Sequence, residues 1–474
     1  MLTAQKIIEV LNPSEYNIHD TNSIIKGVTT DTRKECSGNL FLALKGINFD
    51  GHNFLSQAIK SGASLLCVNE EYAEHLKSAG FPFLAVKDTL KAYQTLAYYH
   101  RSKLKCKIIA ITGSSGKTST KEILSSILKK IYSTEEVYAT EGNTNNHIGV
   151  PYNLLKLNSN HKAAVIELGS NHPGEIRALT EIVCPEIAVI TSVGNAHIEF
   201  FKNLKGTADE KSDIFRPTVN YFGEKFIPAA AIPLNATHFN ILKQKTDAQV
   251  VTFGNNPDKC DITYEYIDGN IYGSTIKLSG SKSLPEPIIT NWTLHGEHQA
   301  SNAAAAVAAI SFLKYPIPLQ TVIEGLKNAS LPGYRMKVFI ENGVTWVNDA
   351  YNANPDSMMA TLNWFSQTLK KEDKFNNKII ILGDMLEIGE TSDEQHRKIL
   401  SQTLSLFPDS NIITVGESFK NAKIQSALTD ETVVSLSTSE QCANLLKKLL
   451  NNNDIVFLKG SRGLKLEKCH QLIP

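Results

Sequence analysis

The chain has 474 residues, 42% hydrophobic and 20% charged, and its 48 lysines and arginines balance 48 aspartates and glutamates. That length exceeds one compact core and calls for about three domains, while zero formal charge argues against a duplex nucleic-acid binder, which needs a basic surface to displace counterions. Seven scattered cysteines without a CxxC pair support neither a disulfide framework nor a zinc site.

The amino terminus lacks the basic start and long apolar core of a secretory signal, and no apolar run is long enough to span a bilayer. A reduced cytoplasm is the plain reading. Residues 1 to about 88 mix short strands, such as Leu40–Leu44 and Ser64–Val68, with short helices. Apolar positions at Leu90, Tyr93, Leu96, Ala97 and Tyr99 give Thr89–Cys106 a helical pattern, and the first domain boundary falls in this segment, near residue 100.

The most informative stretch follows: KIIAITGSSGKTSTK at 107–121. A short apolar run breaks into Gly113, Ser114, Ser115, Gly116, Lys117, Thr118 and Ser119, and a helix-like segment continues. A strand feeding a glycine-rich turn at a helix N-terminus cradles phosphate: backbone N–H groups point inward and the helix dipole favours negative charge. Lys117 would reach the terminal phosphates, and the Thr118 hydroxyl would ligate Mg²⁺. The run departs from strict GxxxxGK[ST], because Ile111 stands where the first glycine belongs. An ordinary strand-to-helix turn is the bland alternative. The strand, turn and helix context favours ATP or GTP binding.

Further on, Ala163–Leu168 and Ile187–Val193 are again short apolar runs separated by helix-like segments. That rhythm predicts parallel strands buried on both faces with crossover helices between them. Thr252–Leu278 alternates and carries Asn-Pro, Asp-Gly and Tyr-Gly turns, which predicts an antiparallel patch. The helix-forming run Asn302–Ala309 closes this block, which ends at about residue 330. After Pro332-Gly333 the strand-helix rhythm restarts. Val344–Val347, Lys378–Leu382, Asn411–Val415 and Asp454–Leu458 read as strands, with helices such as Ser357–Lys370 and Ser439–Leu450 between them. A second α/β domain fits residues 331–474.

Several segments together resemble the Mur ligase family, the ATP-dependent amide-forming enzymes of peptidoglycan synthesis. They are TTDTRK (29–34) with GHNF (51–54), TGSSGKTS (112–119), GNTNNHIGVPYNLL (142–155) and IELGSNHPGEI (166–176). AHIEFF (196–201), NDAYNANPDSM (348–358), LGDMLEIG (382–389) and LKGSRG (458–463) continue the series in family order. The resemblance implies an α/β fold of three domains. Residues 1–100 would be a mixed α/β domain for the UDP-sugar, 101–330 a phosphate-loop ATPase-like parallel-sheet domain, and 331–474 a Rossmann-like domain for the amine and part of ATP. NDAYNANPDSM with GNTNNHIGVP is similar to members that use UDP-MurNAc-tripeptide and D-alanyl-D-alanine. It also implies a monomer working on small molecules, with no nucleic acid and no membrane span. Two rivals remain at this point: a family member adding a single amino acid, and a phosphate-loop NTPase without ligase activity. Whether the tripeptide ends in diaminopimelate or lysine is not located by any motif.

The family's route phosphorylates a carboxylate with ATP, and an amine then displaces phosphate from the acyl phosphate. The resemblance implies two Mg²⁺ sites, with Thr118 and Glu167 on the first and His197 on the second. Lys211, in TADEKSDIF, matches a family lysine that CO₂ converts to a carbamate, an anionic ligand; a solvated helix lysine beside Glu210 and Asp213 is its bland reading. Lys117, His197 and Lys211 would be the catalytic set. Asn302 aligns with an adenine-contacting asparagine, with a helix N-cap as the alternative. Arg335 follows Pro332-Gly333-Tyr334, one place later than relatives place their arginine, and would reach phosphate from the third domain; Asp349 would contact the ribose. Asn352 and Asn354 are the dipeptide candidates. Asn143, Asn145, Asn146 and His147 would lie between acceptor and phosphates. Thr30, Asp31, Arg33 and the loop Lys45–His52 would handle the UDP end.

Overall fold

The computed structural model describes residues 2–194, 198–280, 284–313, 315–372 and 374–472. Three sheets organise the chain. The first has five strands in the order Glu15–Asn17, Phe83–Val86, Leu65–Asn69, Leu40–Leu42 and Val28–Thr29, all pairs parallel except the first. The helix Thr89–Ser102 leaves this sheet, its start capped by the Asp88 side chain. Buried Arg101 near its end donates to the carbonyls of Val183 and Cys184 at 2.8 Å each, and so pins the helix to the next unit.

The central sheet has nine strands. From one edge they are Leu284–Trp292, Gly273–Gly280, Ile262–Asn270, Val250–Gly254, Ala229–Pro233, Ile187–Ile190, Lys107–Thr112, Ala163–Glu167 and Val137–Ala139. Here Lys107–Thr112 is β1, Ala163–Glu167 is β2 and Ile187–Ile190 is β3. β1 lies between the other two, parallel to both, and all three are almost wholly buried, which explains their unbroken apolar sequences. Chain order reverses around β1, and such a switch point leaves a crevice at the strands' carboxyl ends. The helix α1 (Lys117–Ile131) follows β1, and Leu204–Ser212, α2, follows β3.

Two expectations need correction here. The antiparallel patch comprises Ile262–Asn270, Gly273–Gly280 and Leu284–Trp292, whereas Val250–Gly254 pairs parallel with its neighbours. Tyr272-Gly273 makes the turn, but Asp268-Gly269 lies inside a strand at a bulge, where the register shifts after Tyr266. The helix α3 spans Glu297–Ile310, so Asn302 stands in its buried interior and is not an N-cap; Gly296 occupies that place.

In the third unit the strand order is Lys337–Glu341, Val344–Asp349, Ile455–Lys459, Lys378–Gly383, Asn411–Val415 and Val434–Leu436, antiparallel only at the first pair. Val344–Asp349 is β4, the helix Pro355–Leu369 is α4, and Ile455–Lys459 is β5. α4 starts at a capping box in which Asn354 and Ser357 exchange side-chain and backbone bonds, with proline in the first turn.

Candidate active site

β1 ends at Thr112, and the turn to α1 depends on two glycines. Gly116 has φ +83°, and a methyl group there would sit 2.3 Å from Asn302 Oδ1; one on Gly113 would sit 2.0 Å from Thr191 Oγ1. Any side chain at either position would force the turn away from its supports. The turn is buttressed from the segment after β3: the Ser114 N–H donates to the Ser192 carbonyl at 3.0 Å, and the Ser115 N–H to Ser192 Oγ at 2.9 Å. No side chain caps α1, so its first N–H groups are available to an anion. Ser119 is buried one turn in.

Glu167, the last residue of β2, is buried beside this turn. Its Oε2 accepts from Thr118 Oγ1 at 3.0 Å and its Oε1 from Asn145 Nδ2 at 2.9 Å. The Glu167 N–H donates to Thr140 Oγ1 at 2.9 Å, which fixes the strand end. Lys117 Nζ donates to the Gly113 carbonyl at 2.7 Å. Burial lowers its pKa, with Glu167 opposing and Arg335 adding to the shift. From the third domain, Arg335 Nη2 donates to Thr118 Oγ1 at 3.3 Å while the guanidinium lies 3.4 Å above the Tyr351 ring centroid. The inserted Tyr334 is taken up elsewhere, its hydroxyl accepting from Gln471 Nε2 at 2.9 Å.

Lys211, on α2, is 1% exposed, which removes the solvated-lysine reading. Its Nζ donates to Ser170 Oγ at 2.7 Å, and burial, reinforced by the Lys117 charge, brings its pKa down to about 7. Glu210, whose carboxylate accepts from the N–H groups of Gly174 and Ile176 at 2.6 and 2.8 Å, opposes this shift only in part. His197 lies outside the described residues. Among the described residues no group of three or more His, Cys, Asp or Glu side chains forms a metal cluster.

The other candidates divide. Asn302 accepts from Thr120 Oγ1 at 3.3 Å and donates to Gln299 Oε1 at 3.0 Å, which places it behind the phosphate turn. Both Asp349 oxygens have partners within the third domain: Oδ1 takes the Met336 N–H at 3.1 Å and Oδ2 pairs with Lys459 Nζ at 2.5 Å. Burial raises the Asp349 pKa, and Lys459 holds it back. Asn354 caps α4 and also donates to Ser115 Oγ at 3.1 Å. Asn352 is exposed, its Oδ1 turned back to the Ala353 N–H at 2.9 Å. Asn143 accepts from Asn145 at 3.3 Å, Asn146 Oδ1 accepts from the Ile148 and Gly149 N–H groups at 3.1 and 2.9 Å where the helix Gly149–Lys156 begins, and His147 is exposed. Thr30, Asp31 and Arg33 form a separate first-domain loop in which Arg33 grips Asp31 at 2.8 and 2.9 Å and draws its pKa down to about 2. That loop meets the central domain where Lys34 Nζ donates to Tyr152 Oη at 3.2 Å.

Sequence reasoning missed Ser170, which orients Lys211, and Lys459, which pairs with Asp349. Both lie in quoted motifs, IELGSNHPGEI and LKGSRG, but nothing in sequence order announces the partner.

A phosphate turn, a buried carboxylate at the next strand end and an arginine from another domain meet on one hydroxyl. Such an arrangement has the parts that a nucleotide-dependent phosphoryl-transfer centre assembled between domains requires. The chain matches the Mur ligase family catalytic domain over residues 24–101, the Mur ligase middle domain over 111–310, and the Mur ligase glutamate ligase domain over 334–462. It belongs to the Mur ligase family, and is an ATP-dependent ligase. Among its relatives, UDP-N-acetylmuramoyl-tripeptide–D-alanyl-D-alanine ligase of Haemophilus influenzae is 35% identical over 95% of this chain and 94% of that protein. The crystal structure of MurF from Acinetobacter baumannii superposes with a TM-score of 0.85 at 30% identity, covering 99% of this chain and 98% of that one. MurF of Thermotoga maritima in complex with ADP, at 22% identity and a TM-score of 0.78 over 95% and 97% of the two chains, shares the fold.

Proposed function

We propose that the chain joins D-alanyl-D-alanine to UDP-N-acetylmuramoyl-tripeptide with ATP, through an acyl phosphate, in cytoplasmic peptidoglycan precursor synthesis. The observation that carries this reading is the convergence on Thr118 of Glu167 from β2 and Arg335 from the third domain. An ionised carboxylate is a poor acyl donor, and phosphorylation by ATP turns it into a good one. Lys117 and Arg335 would neutralise charge on the migrating phosphoryl group, and the first N–H groups of α1 would hold the neighbouring phosphates. Asn145 donates to Glu167 beside the same point, which supports a role for residues 142–147 next to the acceptor carboxylate.

Mg²⁺ fits the donors present. Thr118 Oγ1 and a Glu167 carboxylate oxygen, 3.0 Å apart, are hard oxygen ligands, and an ion that keeps several waters needs few protein atoms. When bound, Mg²⁺ supplies charge neutralisation and alignment of phosphate oxygens. At the second metal, His197 and Lys211 would contribute. A buried lysine with its pKa lowered to about 7 has a substantial neutral fraction near neutral pH, and a neutral amine can add CO₂, releasing a proton and leaving an anionic carbamate. Residues 1–100 would take the UDP-sugar, 101–330 the nucleotide and acceptor carboxylate, and 331–474 the dipeptide, within a monomer.

The test is phosphate release with ATP, UDP-MurNAc-tripeptide and a panel of amines. D-alanyl-D-alanine should drive turnover where free L-lysine, diaminopimelate and glutamate do not. Preference for a free amino acid would contradict the assigned substrate.

A further inference from the structure

A buried cation stands one turn behind the phosphate lysine. Lys121, on α1, is 2% exposed, and an ammonium group at that depth is strongly unfavourable unless partners replace its water. Its Nζ donates to the Thr140 carbonyl at 2.7 Å and pairs with Glu122 Oε1 at 2.8 Å. Thr140 follows the strand Val137–Ala139, which runs parallel to β2, and is likewise 2% exposed. Its N–H donates to the Val165 carbonyl at 2.9 Å, and its Oγ1 accepts the Glu167 N–H at 2.9 Å. Glu167 Oε2 accepts from Thr118 Oγ1 at 3.0 Å, and Thr118 lies three residues before Lys121, on the same face of α1. The contacts close a ring through Thr118, Glu167, Thr140 and Lys121, with α1 as its fourth side.

Thr118 and Glu167 are the pair assigned above to Mg²⁺, an ion that demands near-ideal placement of its oxygen ligands. The separation of the two side chains therefore matters, and it depends on how the end of β2 sits against α1. The Lys121 arm fixes that relation without using either ligand oxygen. We propose that Lys121 is a positioning residue for this pair, holding Thr140, and through it the Glu167 backbone, at the distance from Thr118 that Mg²⁺ requires. Lysine suits the task because it spans from helix to strand end and its charge strengthens the bond to a carbonyl. An apolar side chain of similar length would fill the same space with no charge to desolvate, so packing alone does not account for the ammonium group. The inference rests on the ligase reading, in which Thr118 and Glu167 hold the metal.

ADP binding with and without Mg²⁺ tests this apart from turnover. Isothermal titration of the full chain gives the factor by which Mg²⁺ tightens ADP. In Lys121→Met that factor should shrink roughly 3–10-fold, somewhat less than a charged hydrogen bond made directly to a ligand contributes. ADP affinity without Mg²⁺ should stay close to that of the wild type. In turnover, the Mg²⁺ concentration for half-maximal rate should rise, and saturating Mg²⁺ should recover most of kcat. Thr140→Val, which keeps the shape but removes the acceptor of the Glu167 N–H, should give the same signature. The two substitutions together should be non-additive, because both cut one arm, and Lys121→Arg, which keeps a charged donor, should recover part of the loss. A side chain that only packs would lower Tm and leave both Mg²⁺ readouts unmoved. That result in a folded Lys121→Met protein would overturn the positioning role; Lys121→Gln and Thr140→Val are judged by the same readouts if the methionine variant does not fold. No effect of Mg²⁺ on ADP affinity in the wild type would overturn the metal reading of Thr118 and Glu167 itself, an outcome distinct from failure in the variants.

Discussion

Lys211 shows how far burial, with a like charge nearby, can change a side chain's chemistry. Surrounded by Ser170 Oγ and the Phe201 ring, its Nζ has no carboxylate within ion-pair distance among the described residues. Desolvation then disfavours the ammonium form, and the neutral amine that results is the form that reacts with CO₂. Lys211→Ala should lose nearly all ligase activity, roughly 10²–10³-fold, the scale for removing one preorganised electrostatic group. Added short carboxylic acids should restore part of it by supplying the missing oxygen donor, and CO₂-depleted buffer should lower wild-type activity reversibly. Mass spectrometry under native conditions gives a readout independent of turnover, since carbamylation adds one CO₂ to the intact chain. Wild-type activity in a folded Lys211→Ala protein would return this residue to a packing role.

At the scale of elements, α3 supports α1 from behind. Asn302 accepts from Thr120 and donates to Gln299, and its Oδ1 lies where a side chain on Gly116 would have to go. Asn302→Ala leaves the Gln299 carbonyl without that donor and opens a void under the turn, at a cost of about 1–3 kcal/mol. Amide hydrogen exchange should quicken over residues 112–120 before it changes in the third sheet. A uniform change across the chain would contradict this local role. The same element marks the limit of what the sequence discloses. The run of alanines after Asn302 advertised a helix, but the true start at Glu297 follows a glycine, not one of the usual capping side chains. Strands β1, β2 and β3 were legible because both faces are buried and their sequences are continuously apolar. Ala229–Pro233 escaped notice because alanine has little strand preference and pairing with β3 decides its conformation. The phosphate turn was legible because its chemistry lies within seven consecutive residues. The Lys459–Asp349 pair joins positions 110 apart in sequence, and only the parallel pairing of β4 with β5 brings them together.

For the whole molecule, the third domain lies against the central one at several points, three of them around the phosphate turn and the segment after β3. Arg335 meets Thr118, Asn354 meets Ser115, and Gly389 packs so closely that a methyl group there would come within 2.9 Å of Glu199 Cβ. Closure of this kind brings the reacting groups together and excludes water that would hydrolyse an acyl phosphate. The most direct measurement follows the oxygen atoms. UDP-MurNAc-tripeptide labelled with ¹⁸O in the acceptor carboxylate is incubated with ATP and D-alanyl-D-alanine, and the released phosphate is analysed by mass spectrometry. An acyl phosphate route transfers one labelled oxygen to each phosphate as the amide forms, with one ADP per bond. Unlabelled phosphate, or phosphate released equally well without the acceptor, would contradict a ligase and leave an NTPase.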